Sequence, residues 1–387
     1  MILKNKNKLV CVVINSRANY ARIKSTLLEI KKTKNLDLKI ILAASAVLDK
    51  VGDIRSIIKK DGFKHFIKLS TILDGNDPVI MSKSTGIALM ELSSIFDNMK
   101  PSFVITVADR FETIATAIAA SFMNITLIHT QGGEKTGSID ESVRHSITKL
   151  AHIHFPANLD AKKRIIKMGE DPKYVFNTGC PSLDLIKSVN FKHYSYFYKK
   201  YFINKKYISL DKKFLLVVQH PVTTEFEDTI NQILETLMAV HYINLPAIWL
   251  WPNIDAGSQY ISKQMKIYID NNNIKNIKFV KNFSPEDYLK IMHLCSCIVG
   301  NSSSAIREGS FMGVPSINIG SRQNNRIKGI NVIDTKYNKK NIINAIKKQL
   351  KVNRYKRSKI YGDGFAGLKM AKIISKINAP LQKIIKF

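Results

Sequence analysis

At 387 residues the chain exceeds what one core usually spans, so two domains are expected. Hydrophobic residues make up 45% and charged residues 23%, a balance that excludes a disordered chain, and no apolar run approaches the roughly 18 residues of a membrane span. The formal charge of +30 admits a nucleic-acid or membrane surface, yet the lysines are spread along the whole chain, with no helix-turn-helix, zinc finger or aromatic single-strand platform beside them. They read as solvated helix faces, so no nucleic-acid partner and no membrane span are expected, while the positive field suits an anionic nucleotide.

In chain order, Met1 to Leu9 is basic and runs into a strand over Leu9 to Ile14, too short for a signal-peptide core, so a cytoplasmic protein is expected. The turn Asn15 to Tyr20 carries Arg17, either a phosphate or carboxylate contact or a plain surface arginine, and a helix follows from about Ala21 to Lys32. Lys39 to Ala44 is a strand, Ile54 to Lys60 a helix, Phe66 to Leu69 a strand and Ser84 to Met99 an amphipathic helix. Phe103 to Val107 then delivers Asp109 and Arg110 to a strand end, and Thr113 to Ser121 is helical. Ile125 to Ile128 delivers His129 ahead of Gln131-Gly132-Gly133-Glu134. A helix over Ser142 to Ala151, a strand at His152 to Pro156 and a helix capped by Asn158 complete the first half.

Gly179 to Asp184 marks the edge of that half, and the Tyr- and Lys-rich stretch from Phe191 to Leu210 holds the crossing into the second. There the alternation resumes: strand Phe214 to Val218 ending at His220-Pro221, helix Phe226 to Val240, strand Ala247 to Trp251 ending at Pro252-Asn253, a short strand Lys278 to Val280, and helix Asp287 to Cys295. Cys297 to Gly300 leads into Asn301-Ser302-Ser303-Ser304, Val314 to Ile319 ends at Arg322, and helices over Asn341 to Leu350 and Gly367 to Ile385 close the chain. Such alternation marks an α/β fold of two Rossmann-like domains with parallel sheets, and no GxGxxG, Walker A, HExxH or GxSxG motif accompanies it. The domains are expected at 1–188, 189–365 and a closing helix 366–387 packed back on the first. Cys11, Cys180, Cys295 and Cys297 lie on or beside apolar runs without metal-ligand spacing and read as buried thiols.

Two groups of residues can carry chemistry. The serines at a helix start offer unpaired amides and hydroxyls to a diphosphate, Glu308 lies within reach of ribose hydroxyls, and His220 and Arg322 stand on other strand ends of the same half. A lone serine N-cap would be structural; three serines after a strand favour a ligand. In the first half Asp109, Glu134, Asp140 and Glu141 are carboxylates on neighbouring loops, a set able to act as general acid and base, or else a solvated acidic loop.

At these residues the chain resembles the hydrolysing uridine diphosphate N-acetylglucosamine 2-epimerases of sialic-acid and legionaminic-acid-type nonulosonate synthesis. The matching pieces are Asp109-Arg110-Phe111, Gly132-Gly133-Glu134, Ile139 to His145, Ile147 to His152, His220 to Thr224, Pro252 to Ser258, Gly300 to Ser303, Arg307-Glu308 and Arg322-Gln323, which run nearly the length of the chain. The resemblance implies a glycosyltransferase-B-like fold with a ligand cleft between domains, no cofactor, no metal, and a UDP-sugar substrate; a homo-oligomer, dimer or tetramer, is also expected. It implies elimination of the nucleotide across C1 and C2, then hydration of the glycal to a free 2-epimer of the N-acetylmannosamine type. Asp109 and Asp140 match the catalytic acids, with Glu134, Gln131, Arg144 and His220 in the catalytic set. Arg17, Arg110, His220, Asn253, Ser302, Ser303, Glu308 and Arg322 match substrate and nucleotide contacts.

Three positions depart from the family's pattern: Gln131 stands where glutamate is common, Ser45-Ala46 where a histidine is frequent, and Asn19 where an acid is usual. Glutamine cannot accept a proton at neutral pH. Transfer then falls to Asp109, Asp140 or Glu134, or the sugar differs, for example a 2,4-diacetamido-trideoxy sugar, or activity is lost. The alternatives are a glycosyltransferase of the same fold and a non-catalytic sugar-nucleotide-binding homologue.

Overall fold

The computed structural model describes residues 7–48, 54–73, 78–136, 140–202, 209–251, 258–378 and 381–386. The chain forms two compact units, one of 1–135, 139–185 and 361–387, the other of 136–138 and 186–360.

Unit 1 carries β1 (Lys8–Ile14), β2 (Leu36–Ala43), β3 (Ile67–Leu69), β4 (Phe103–Val107), β5 (Thr126–Thr130) and β6 (Ile153–Phe155), joined as a parallel sheet in the order β3-β2-β1-β4-β5-β6. Its helices are α1 (Arg17–Lys32), α2 (Ile54–Lys60), α3 (Pro78–Met99), α4 (Thr113–Phe122), α5 (Asp140–Leu150), α6 (Leu159–Lys167) and α7 (Ser182–Ser188). Because strand side chains alternate, β1 feeds two cores. Val10, Val12 and Ile14 pack with Ile23, Leu27 and Ile30 of α1, while Cys11 and Val13 face the layer of Leu92, Phe96, Ala115 and Ala119 from α3 and α4. A sheet covered on both faces needs apolar residues at every strand position, which is why the strands read as unbroken apolar runs.

Unit 2 carries α8 (Phe197–Lys200), β7 (Leu215–Val218), α9 (Thr229–Ile243), β8 (Ala247–Leu250), α10 (Ser258–Asn271), β9 (Ile277–Val280), α11 (Pro285–Leu294), β10 (Cys297–Gly300), α12 (Ser303–Ile306), α13 (Glu308–Met312), β11 (Ser316–Ile319), β12 (Val332–Thr335) and α14 (Lys339–Gln349). The sheet order β12-β11-β10-β7-β8-β9 repeats the winding of unit 1. Asp287 anchors the start of α11 to α8 by accepting hydrogen bonds from Tyr196, Lys200 and Tyr201. In both sheets the order reverses between two central strands, β1/β4 and β7/β10, and the loops leaving their carboxyl ends are where ligands of such sheets sit.

The chain ends back in unit 1 with α15 (Ala366–Lys376), whose first amides, Ala366 and Gly367, donate to Asp184 at 2.9 and 2.7 Å. The helix stops at Lys376 rather than at Ile385, because Ile377 turns into extended backbone, its N–H still donating to the Ile373 carbonyl. Two further expectations are corrected. Helix α3 begins at Pro78 instead of Ser84, because proline suits a first helical turn. Through that extension Val79–Met99, 21 residues, is long and apolar enough to cross a membrane by length and composition, although Ala88, Leu92 and Phe96 on one side are buried in the unit 1 core.

Candidate functional site

In unit 1 the ends of β4 and β5 and the start of α5 converge on Arg144, which is fully buried. Its Nε donates to Asp109 Oδ2 at 3.0 Å, Nη2 donates to the same oxygen, and Nη1 donates to the Glu134 carbonyl at 2.5 Å. Burial alone would lower its pKa. The carboxylates of Asp109 and Glu134, with Asp140 in the first turn of α5 adding its field, outweigh that and hold the guanidinium above its ordinary value.

The strand ends that bring these groups together turn through left-handed backbone, φ 65° at Ala108 and 62° at Gln131. His129 braces both. Its Nε2–H donates to the Ala108 carbonyl at 3.0 Å, and its Nδ1 lies 3.2 Å from the Thr148 hydroxyl on α5. Complete burial pushes its pKa down to about 3, so the ring is neutral with its proton on Nε2. The glycine pair follows from this packing. A Cβ at Gly132 would lie 2.7 Å from His129 Nδ1, and one at Gly133, where φ is +76°, would lie 2.5 Å from the Ala161 carbonyl.

Gln131 is 2% exposed, and its amide donates to the Phe155 carbonyl at 2.9 Å. Asn19 explains its own departure from an acid: its Oδ1 accepts from the Asn15 amide and its Nδ2 donates to the Val107 carbonyl at 3.3 Å, which a carboxylate cannot do. Ser45 Oγ donates to the Asn15 carbonyl at 3.0 Å. Arg17 opens α1 behind the N-cap Ser16. Arg110 is folded onto Glu112, with Nε and Nη2 donating to its carboxylate at 3.1 Å.

In unit 2 the corresponding loops carry His220 after β7 and Asn301 to Ser304 after β10. Ser302 caps α12, its Oγ accepting from the Ser304 amide at 3.3 Å, while the Ser304 hydroxyl meets Tyr288 at 2.6 Å. Asn301, fully buried, exchanges two hydrogen bonds with the backbone of His220, each 2.8 Å. Its carbonyl accepts from Arg322 Nη1 at 3.2 Å and Gln323 Nε2 at 3.0 Å. Gly300 permits the approach: with φ +133°, a Cβ there would lie 2.2 Å from the Val218 carbonyl. Glu308 opens α13, and its Oε2 is buried with no hydrogen-bond partner among the described residues.

The sequence-derived residues thus fall into two groups. Asp109, Glu134 and Asp140 act on the guanidinium of Arg144 with Gln131 at the next strand end, and His220, Ser302, Ser303 and Arg322 lie on or beside Asn301. Arg110 is engaged by Glu112, and Asn253 lies outside the described residues. Sequence reasoning placed Asn301 at the head of the anion site, His129 at a strand end and Thr148 in a family-matching stretch, but gave none of them the bracing contacts seen here. Only their types and positions hint at roles: an amide directly after a strand glycine, and a histidine two residues before the glycine pair. Among the described residues no group of three or more His, Cys, Asp or Glu side chains is placed to share a metal ion.

Two parallel Rossmann-like sheets with ionisable groups at their switch points define an α/β fold of the glycosyltransferase-B-like class. The family model for UDP-N-acetylglucosamine 2-epimerase matches residues 28–375, and the chain belongs to that family of UDP-sugar 2-epimerases. It is 33% identical over 85% of its length to the GDP/UDP-N,N'-diacetylbacillosamine 2-epimerase (hydrolyzing) of Campylobacter jejuni, covering 84% of that protein. It is 31% identical to the UDP-N,N'-diacetylbacillosamine 2-epimerase (hydrolyzing) of Legionella pneumophila, over 92% of each chain. In fold it is similar to the UDP-GlcNAc 2-epimerase from Neisseria meningitidis bound to UDP-GlcNAc, with TM-score 0.79 and 17% identity over 95% of this chain and all of that one.

Proposed function

We propose that the protein is a hydrolysing 2-epimerase acting on a uridine diphosphate 2-acetamido sugar, with a 2,4-diacetamido-trideoxy sugar as its substrate. In this reading unit 2 holds the nucleotide. The amides and hydroxyls at the start of α12, with His220 and Arg322, take the diphosphate, and Glu308 takes the ribose through a carboxylate oxygen that otherwise lacks a partner. Unit 1 supplies the proton chemistry. A carboxylate of the Asp109, Glu134 and Asp140 set removes the proton at sugar C2 while the C1–O bond to UDP breaks. Water then adds across the resulting glycal, hydroxyl to C1 and proton to the opposite face of C2, so one water is consumed for each UDP and free sugar released.

The observation that carries the reading is the buried Arg144, bonded to the Asp109 carboxylate and the Glu134 carbonyl within the field of Glu134 and Asp140, which keeps negative charge tolerable away from bulk water. The choice of sugar rests on the two diacetamido-sugar relatives and on the departures Gln131, Ser45 and Asn19, all in unit 1, while the described nucleotide-side residues keep the family pattern. Incubation with UDP-N-acetylglucosamine and its 2,4-diacetamido-trideoxy counterpart in deuterium oxide should release UDP and place one deuterium at C2, faster with the second sugar. Release of UDP with no deuterium at C2 rules out the elimination. The buried glutamine at 131 favours one competing reading, a binding protein without turnover; it predicts calorimetric binding, no UDP release, and turnover gained in Gln131→Glu.

A further inference from the structure

The backbone of His220 is held by a side chain rather than by a strand. The parallel ladder between β7 and β10 ends at the pair Val218 and Gly300. Beyond it the main chain of Asn301 turns into α12 after donating its own amide to the Val218 carbonyl at 3.1 Å. The next exposed pair of groups on β7, the His220 N–H and C=O, is met by the Asn301 carboxamide, Oδ1 accepting and Nδ2 donating at 2.8 Å each. The carboxamide therefore stands in for a missing peptide unit. Among side chains of this size only asparagine offers both a donor and an acceptor in that geometry; aspartate lacks the donor and serine the reach. The main-chain carbonyl of the same residue accepts from Arg322 and Gln323, so three strand ends, of β7, β10 and β11, meet at one buried amide.

We propose that Asn301 is the positioning residue of the anion site: it fixes the orientation of His220, and through its carbonyl that of Arg322, toward the phosphates of the bound nucleotide. The proposal rests on the nucleotide reading above, and acts through His220 without Asn301 itself touching the ligand.

A double-mutant cycle tests it with UDP as the probe, read by titration calorimetry on the full chain. Asn301→Ala should weaken UDP binding at least tenfold in the wild-type background and less than threefold in a His220→Ala background, since the lost carboxamide has no imidazole left to position there, while the Asn301 main-chain carbonyl that meets Arg322 is kept in every variant. Asn301→Ser, milder in volume, should show the same pattern and serves if the alanine variant does not fold. Equal losses in both backgrounds, or undiminished binding in the single variant, overturn the inference while leaving the nucleotide reading intact. If the wild-type chain binds no UDP, both fall together.

Discussion

Replacing Arg144 with alanine is the most informative single perturbation of unit 1. The guanidinium is completely buried and Asp109 is 14% exposed, so the variant removes the guanidinium from a carboxylate mostly shielded from water, in the field of Glu134 and Asp140. Breaking a buried pair from one side costs about 3 to 5 kcal/mol, and a unit of this size loses roughly 2 to 4 °C of melting temperature per kcal/mol. The melting temperature of unit 1, followed by circular dichroism, should therefore fall by about 10 °C. Arg144→Lys should recover only part of this, because an ammonium cannot reach both Asp109 and the Glu134 carbonyl as the planar fork does. Turnover should be lost in both variants, the lysine form at a temperature where it is folded. A melting temperature within about 2 °C of wild type for Arg144→Ala would refute the view that this residue neutralises the cluster.

Further outcomes follow from the same chemistry. His129 is pushed by burial from 6.5 down to about 3, so the stability it contributes is present above its unfolded value and is lost as the pH falls from about 6.5 toward 3. Urea unfolding at pH 7.5 and pH 5 should show a steeper loss in wild type than in His129→Gln, by at most about 1.4 kcal/mol per pH unit, and parallel slopes would refute the assignment. Burial would raise the pKa of Glu170, but hydrogen bonds from His154, Lys149 and Lys383 hold it down at about 2; its contribution is present above about 4.5 and is lost as pH falls toward 2. Since Lys383 and the Lys386 amide tie the chain end to this region, Glu170→Gln should speed hydrogen exchange of 381–386 at pH 7 without altering exchange in β10. Burial pushes the thiols of Cys11 and Cys295 up to about 12 and that of Cys297 well above its ordinary value, so none of the three should react with a thiol reagent at pH 8 until the chain is unfolded. Fast labelling of the native protein would contradict their burial.

Much of the architecture was legible because both sheets are covered on two faces, which writes strands such as Phe103–Val107 and Cys297–Gly300 as apolar runs ending abruptly in polar groups. Short or partly exposed elements were not legible in this way. β12 (Val332–Thr335) sits at a sheet edge with none of its residues fully buried, so it left no clear period. The acidic residues around the glycine pair were visible as a set and the family resemblance assigned Arg144 to them, but its complete burial and its bonds to Asp109 and the Glu134 carbonyl were not legible.

By itself the sequence determined the alternation of strands and helices, the polar residues at the strand ends, and through their order the family. These are local properties, readable from periodicity and from residue types that only one turn or one chemistry accommodates. Tertiary structure alone decided which groups meet: that Arg144 is buried against the Asp109 carboxylate and the Glu134 carbonyl, that Arg110 turns to Glu112, and that an asparagine amide completes the β7 ladder at His220. Such pairings join residues up to 81 positions apart, and burial rather than neighbourhood in the chain sets their strength.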